Sequence, residues 1–207
     1  MGITGQNFNV SEKYKAIWLA PERTGSRKIS EVLSFYDFKQ NNKPIFYFGN
    51  YNFSHVTPSD GRYSDYKIIS NARNPYSRVY SLFKNYYGES LEKNKDNFKK
   101  YLTEGLVMGQ MATSTSYSLV ETLNSIKNMV INPILNKAPD HIISLEYMTE
   151  DLMRIPFIYD VLNKKQIEML TQHGKEIDEW ESFYDQESKD IVYEKCKDHF
   201  IYWGYEK

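Results

Sequence analysis

Two short segments of the chain combine arginine, hydroxyl and glycine residues in a way that can bind an anion. The first, PERTGS (residues 21–26), follows a short apolar run. Gly25 allows a tight turn, and the amides of Gly25, Ser26 and Arg27 would open a helix, whose N-terminus attracts negative charge. Arg23 adds a planar cation. The segment predicts a phosphate-type site that is not a Walker loop, because it contains no G-x-x-x-x-G-K-[ST] pattern.

The second segment, RNPYSRVYS (residues 73–81), follows another apolar run, YKIISNA. Arg73 would leave the end of a strand, and the asparagine and proline after it indicate the start of a helix. Arg78 and Ser81 would share one face of that helix. An arginine together with a hydroxyl can bind a phosphate monoester. Taken alone, each segment also fits an ordinary surface turn or strand–helix junction.

Hydrophobic periodicity indicates the elements that would position these segments. Strands are expected at residues 15–20, 66–72 and 141–146, and the aromatic segment 44–53 is strand-like. Helices are expected at 26–38, from Pro75 onward, over much of 92–130, from MTEDL with Thr149 as its cap, and at 186–199. This alternation predicts a three-layer α/β fold with a mainly parallel sheet, in which ligands bind beyond the carboxyl ends of the strands. No linker divides the sequence, so a single domain over residues 1–207 is expected.

Composition narrows the classes of function. The 207 residues carry a formal net charge of −1, which gives no global basic field and no reason to expect a nucleic-acid partner. Cys196 is the only cysteine, so an intrachain disulfide and a cysteine-rich metal site are excluded, and no ligand cluster suggests a metal. The sequence has no signal-peptide pattern and no apolar run of about 18 residues. We therefore expect a soluble, cytoplasmic protein without a membrane span.

Together the two segments resemble the sulfotransferases that use 3′-phosphoadenosine 5′-phosphosulfate (PAPS), nearest to the branch that modifies carbohydrates and proteins. In that family the first loop typically reads P-K-T-G-[TS]-[TS] and holds the 5′-phosphosulfate. The second typically reads R-[DN]-P-[YF]-x-R-x-x-S and holds the 3′-phosphate, which RNPYSRVYS matches closely. ISLEYMTEDL (143–152) and CKDHFIYWGYEK (196–207) are similar to later family segments. The first loop departs from the pattern, because Glu22 is extra, Arg23 stands where lysine is usual, and Arg27 replaces a hydroxyl.

This resemblance implies a P-loop-like sulfotransferase fold and transfer of a sulfuryl group from PAPS, a cosubstrate, without a metal. The acceptor would be a hydroxyl or amine of a glycan, a peptide or a small alcohol. Arg23 and the loop amides would stabilise charge on the leaving phosphate, which gives Arg23 a catalytic role. The positions that the resemblance assigns to cofactor binding are Arg23, Thr24, Gly25, Ser26, Arg27, Arg73 and Ser81.

An acceptor hydroxyl must also lose a proton during transfer, and His55 is the best candidate for the base. It lies in NFSHVTPSDG, after an aromatic segment and before the run that leads to Arg73. Its usual pKa of about 6.5 suits proton transfer near neutral pH. A surface or capping histidine is the competing interpretation. Glu22, Glu31 and Asp60 are the reserve candidates.

Two other functions fit parts of the sequence. A P-loop-like nucleotide kinase or hydrolase would also hold phosphates in a strand–loop–helix turn, although the missing G-K-[ST] counts against it. A module that binds 3′-phosphoadenosine 5′-phosphate (PAP) without transferase activity would explain the altered first loop. Preference for PAP over ATP would exclude the kinase, and sulfate transfer would exclude the inactive module.

Overall fold

The structure is a computed structural model that describes residues 9–21, 23–47, 49–51, 63–86, 92–103, 139–171 and 179–207. The chain divides into two compact units. Met1–Arg73 and Asn128–Gly174 form the first unit, and Asn74–Lys127 and Lys175–Lys207 form the second. This division does not show whether the two units fold independently. The expected single domain over residues 1–207 therefore stays a prediction.

The first unit is built on a six-stranded sheet with the order β4-β3-β1-β2-β7-β8. Its strands are β1 (Asn9–Ser11), β2 (Ala16–Leu19), β3 (Lys39–Gln40), β4 (Lys43–Pro44), β7 (Lys67–Ala72) and β8 (His141–Ser144). Two further short strands, β5 (Phe46–Tyr47) and β6 (Asn50–Tyr51), pair only with each other in the described part of the chain. Strands β2, β7 and β8 are parallel, whereas β1, β3 and β4 extend the sheet by antiparallel pairs.

The expected α/β class is confirmed, and the sheet is mixed. The three runs KAIWLA, YKIISNA and HIISLE contain the three parallel strands, as the sequence predicts. The strand-like segment expected at residues 44–53 forms, over its described part, the end of β4 and the short pair β5–β6 instead of one strand. A turn at Gly49, where φ is 79°, reverses the chain and prevents one continuous strand.

Alternation along the strands buries side chains on both faces of this sheet. On one face, Trp18, Ile69 and Ile143 pack in a core with residues of three helices. These helices are α1 (Ser26–Leu33), α4 (Met148–Met153) and α5 (Lys164–Thr171). On the other face, Ile17 and Ile68 pack with tyrosines 63 and 66. The strand that carries the second anion motif is therefore fixed from both sides.

Helix α1 follows the first anion motif directly. It buries Ile29, Val32 and Leu33 and continues as a 3-10 turn, Ser34–Tyr36. The chain leaves the helix at Asp37, whose φ of 57° ends the helical geometry before residue 38. The expected helix over 26–38 is thus present but shorter.

One expected cap is wrong. Helix α4 begins at Met148, and Thr149 lies inside its first turn instead of before it. The Thr149 hydroxyl forms a 2.7 Å hydrogen bond with the Thr171 hydroxyl at the end of α5. The threonine therefore joins two helices, because a longer-range partner competes successfully with the local capping role.

The second unit is helical in its described part. It contains α2 (Pro75–Tyr86), α3 (Lys95–Thr103), α6 (Trp180–Phe183) and α7 (Gln186–Trp203). Asn74 caps α2 as expected, since its Oδ1 accepts hydrogen bonds from the amides of Tyr76 at 3.0 Å and Ser77 at 3.3 Å. Residues 104–130 of the expected helix over 92–130 lie outside the described residues.

Aromatic rings form much of the interior of this unit. Phe98 lies edge-on to Phe83, with centroids 5.1 Å apart, and to Tyr184 at 4.9 Å. Helix α7 continues four residues beyond its expected end at 199 and ends at Gly204, whose φ is 70°. The packing of α2 against α3 and α7 holds the helix that carries Ser81.

Candidate anion-binding site

The loop between β2 and α1 leads into the N-terminus of α1, where the first main-chain N–H groups point away from the helix. Gly25 adopts φ 82° immediately before α1, and no side chain caps that end of the helix. The first hydrogen bond of the helix runs from the Ile29 amide to the Gly25 carbonyl, over 3.2 Å. Helical geometry provides no intrahelical acceptor for the amides of residues 26–28. Such a terminus can bind an anion through main-chain donors and the helix dipole.

Two features of the structure favour glycine at position 25. Its left-handed φ is unfavourable for residues with a side chain. A Cβ atom there would also lie 2.7 Å from Leu145 Cδ1 and 2.9 Å from Met148 Cε. The loop backbone therefore sits directly against the segment that follows β8.

The hydroxyl groups of the loop point inward. Thr24 Oγ1 donates to the Pro21 carbonyl at 2.6 Å, and Ser26 Oγ donates to the same carbonyl at 3.1 Å. Both side chains are buried. Because each hydroxyl has one proton to donate, Thr24 and Ser26 stabilise the loop through their side chains. Any contact that they make to an anion would come from their main-chain amides.

The first turn of α1 is cationic, and it contains no acidic residue. Arg27 is exposed, and Lys28 Nζ lies 3.3 Å from Glu31 Oε2. Positive side chains at a helix N-terminus oppose the dipole, each by about 0.3–1 kcal/mol. Arg23 adds strain, because it adopts φ 63° without being glycine. Cations at a helix N-terminus and a left-handed arginine are both locally unfavourable, and such exceptions within one loop are typical of a functional site.

Arg73 brings the second motif to this loop. It lies directly after β7, which is paired in parallel with β2. Its Nη1 donates a hydrogen bond to the Arg23 carbonyl at 3.3 Å, and its side chain is buried. Arg73, the first residue of the second segment, and the loop therefore lie together beyond the carboxyl ends of adjacent strands.

Ser81 is placed by the structure in α2, where it is buried. Arg78 lies in the same helix, also buried, with its guanidinium carbon 5.8 Å from the centroid of the Trp203 ring. The role of Ser81 at a phosphate stays a prediction of the sequence motif.

Most candidate bases lie outside the described residues, namely His55, Glu22 and Asp60. The remaining reserve, Glu31, is largely buried and forms the ion pair with Lys28. Of the other histidines, His199 is buried and stacks on Trp203 with centroids 4.8 Å apart. Burial, assisted by the charge of Arg78, lowers the pKa of His199 to about 3, so its ring is neutral at ordinary pH.

Trp18 and Asn71, which the sequence analysis did not single out, connect the loop to the sheet through hydrogen bonds. Trp18 Nε1 donates to Asn71 Oδ1 at 2.7 Å, and Asn71 Nδ2 donates to Ser26 Oγ at 3.1 Å. Trp18 and Asn71 are fully buried in neighbouring strands. The available signal was the polar pair Ser70-Asn71 inside an otherwise apolar strand, since a buried amide must find partners.

Within the described ranges, no group of three or more His, Cys, Asp and Glu side chains could hold a metal ion. None of the described helices combines the length and apolar character needed to cross a membrane. Comparisons with protein-family models, with curated proteins and with solved structures find no match to this chain.

Proposed function

We propose that this protein is a sulfotransferase that moves a sulfuryl group from PAPS to a hydroxyl or amine of an acceptor, which would be a glycan, a peptide or a small alcohol. The observation that carries the proposal is the hydrogen bond from Arg73 to the Arg23 carbonyl. It joins the two segments that the sequence assigns to opposite ends of one nucleotide. Two phosphate motifs in contact favour a ligand with two anionic groups over a ligand with one.

The proposal includes the sulfotransferase fold, which is a more specific assignment than the α/β class. A three-layer, P-loop-like sulfotransferase fold would place the 5′-phosphosulfate loop after one parallel strand and the 3′-phosphate arginine after its neighbour. The order β2-β7-β8, with the loop after β2 and Arg73 after β7, supports that arrangement. Gly25 supports it further, because its left-handed φ of 82° leads the chain directly into the N-terminus of α1.

The donor set around the loop suits an anion. Main-chain amides at the start of α1 and the arginines 23, 27 and 73 can only donate hydrogen bonds. The hydroxyls of Thr24 and Ser26 are directed to the Pro21 carbonyl instead. PAPS, when bound, supplies a sulfuryl group activated by its attachment to a phosphate.

Each group of the loop has a role in this scheme. The acceptor oxygen forms a bond to sulfur while the bond from sulfur to the phosphate oxygen breaks, so negative charge grows on that phosphate. Arg23 and the amides at the start of α1 would stabilise this charge, as preorganised donors do in other transfer reactions. Arg73 would hold the 3′-phosphate, and the motif match assigns Ser81 to the same phosphate. The acceptor's proton goes to the base, for which His55 remains the candidate from the sequence.

Transfer of radiolabelled sulfate from PAPS to pooled glycans, peptides and small alcohols tests the proposal directly. We expect label in at least one pool, and we expect Arg23→Ala to lose it. Arg154→Ala is the matched control, because Arg154 is an exposed arginine of the same unit that pairs with Asp151. No label in any pool together with tight PAP binding would instead support a binding module. Preference for ATP over PAP would support a nucleotide kinase.

A further inference from the structure

A chain of buried hydrogen bonds connects the sheet to the anion-binding loop. It runs from Trp18 Nε1 to Asn71 Oδ1 (2.7 Å), from Asn71 Nδ2 to Ser26 Oγ (3.1 Å), and from Ser26 Oγ to the Pro21 carbonyl (3.1 Å). All four residues are buried, with Trp18 and Asn71 fully so. Every step of this chain lies within the first unit.

The direction of each bond follows from the first donor. An indole N–H can only donate, so the amide oxygen of Asn71 must face Trp18 and its NH₂ group must face Ser26. The Ser26 oxygen then accepts from Asn71, and its own proton goes to the Pro21 carbonyl. Thr24 donates to the same carbonyl, which occupies both of its lone pairs. Both loop hydroxyls are thereby oriented toward the protein interior.

We infer that Asn71 is a positioning residue for the anion-binding loop, which it holds in a ligand-ready conformation through Ser26 without touching the ligand. Strand β7 lies between β2 and β8, so its backbone is fixed on both sides. The amide of Asn71 transmits this fixed position to the first residue of α1. The loop amides are therefore set in place before an anion arrives, which lowers the ordering cost of binding.

The inference rests on the proposed function for the identity of its ligand, but its geometry can be tested without any ligand. The reporter is the Ile29 amide, whose bond to the Gly25 carbonyl closes the first turn of α1. A matched reporter is the Ile167 amide, which closes the first turn of α5 through the Asn163 carbonyl at 3.1 Å. Hydrogen exchange monitored by NMR follows both amides in one sample.

Two variants break the chain at different points. Asn71→Leu removes the amide from the sheet, and Ser26→Ala removes the oxygen from the loop while leaving the Trp18–Asn71 bond intact. Alanine has a higher helix propensity than serine, so weaker protection in Ser26→Ala cannot come from propensity. Asn9→Leu is the matched control, since Asn9 is a fully buried asparagine of the same sheet whose Nδ2 donates to the Trp18 carbonyl.

We expect protection of the Ile29 amide to fall about tenfold relative to that of Ile167 in both test variants, the size of one lost buried hydrogen bond. Asn9→Leu should leave this ratio unchanged. If Ser26→Ala keeps the wild-type ratio, or if Asn9→Leu lowers the ratio equally, Asn71 is merely a packing residue and the inference is wrong. Ser26→Ala keeps the test decisive if Asn71→Leu fails to fold.

Ligand affinity separates positioning from a general loss of structure. Both test variants should bind PAP about tenfold more weakly, while binding of adenosine 3′-monophosphate, which lacks the 5′-phosphate, stays within about twofold. Equal losses for the two nucleotides would overturn the positioning role. If the wild-type protein does not bind PAP, the proposed function fails, and the amide-exchange result alone decides the inference about Asn71.

Discussion

Arg73 donates a hydrogen bond from Nη1 to the main-chain carbonyl of Arg23, 3.3 Å away. Arg73 follows strand β7, and Arg23 lies in a loop and adopts a left-handed φ of 63°. The bond stabilises a backbone conformation that is unfavourable by itself. It also means that a ligand held by Arg73 would act on the loop through a direct contact.

Replacing Arg73 tests its assignment to the 3′-phosphate. Arg73→Ala should weaken PAP binding by on the order of 1.5–3 kcal/mol, because a charge-assisted hydrogen bond is lost. Calorimetry with PAP and with AMP, which lacks the 3′-phosphate, measures the effect. The variant should lose much less affinity for AMP than for PAP, and Arg154→Ala should bind both like the wild type. Unchanged PAP affinity in a folded Arg73→Ala protein would remove Arg73 from the site.

Replacing Arg23 separates its chemical role from its backbone strain. If Arg23 stabilises the leaving phosphate, Arg23→Ala should lower kcat by roughly 10²–10³-fold, more than it raises KM for PAPS. Arg23→Lys, which carries the residue usual in the family, should keep much of the activity. A raised KM with unchanged kcat would make Arg23 a ground-state anchor instead.

Arg23→Gly should combine lost turnover with preserved or higher stability. Glycine adopts the φ of 63° without the steric cost of about 1–2 kcal/mol that a side chain incurs there. Part of this gain is offset by the greater freedom of glycine in the unfolded chain. Urea unfolding should show a midpoint at or above that of the wild type. A clearly lower midpoint would mean that the Arg23 side chain supports the fold.

The close packing around Gly25 can be tested by comparison with a second glycine, Gly49. Gly25→Ala and Gly49→Ala both place a Cβ at a left-handed φ, 82° and 79° respectively. Among the described residues, neighbouring atoms would meet that Cβ only at Gly25, and they belong to Leu145 and Met148. We expect Gly25→Ala to be less stable than Gly49→Ala by about 1 kcal/mol or more, the usual scale of overpacking. Equal losses in urea unfolding would mean that the loop does not press on the segment after β8.

Stability should depend on pH through His199. Burial lowers its pKa from 6.5 to about 3 in the folded protein. Between these values the unfolded chain binds a proton that the folded chain does not, so lowering the pH favours unfolding by up to about 1.4 kcal/mol per pH unit. His199→Phe, which can keep the stack on Trp203, should have a flatter dependence of the unfolding free energy between about pH 6 and pH 4. If urea unfolding gives the same pH dependence for the wild type and His199→Phe, His199 is not the cause of the loss of stability.

Sequence patterns predicted the parallel strands because each is a short, continuous apolar run between turn signals. They also predicted the cap at Asn74, where asparagine precedes proline, because that signal is local. The antiparallel pair β3–β4 was not foreseen, although Asn41-Asn42 is a turn signal and both residues adopt positive φ. The partner of Thr149 lies 22 residues away and could not be read from local sequence.

The candidate site likewise combines features that have a local sequence signature with contacts between residues far apart in sequence. The loop and Arg73 were predicted from residue types and spacing, since glycine, arginine and a helix start have local signatures. The Ser26 hydroxyl contacts Asn71, which in turn contacts Trp18, and these two residues come from neighbouring strands. The polar pair Ser70-Asn71 signals that a buried amide needs partners, but no local pattern identifies those partners. The assignment of His55 as the base concerns a residue outside the described ranges and stays a prediction.

Calorimetric titration of the wild-type protein with PAP, AMP and ATP tests the central claim most directly. If the loop at residues 23–27 and Arg73 hold the two phosphates of one nucleotide, PAP should bind at least about tenfold more tightly than AMP, the worth of one charge-assisted hydrogen bond. ATP should bind more weakly than PAP, because it has no 3′-phosphate for Arg73. Equal affinity for PAP and AMP, or preference for ATP, would contradict the account.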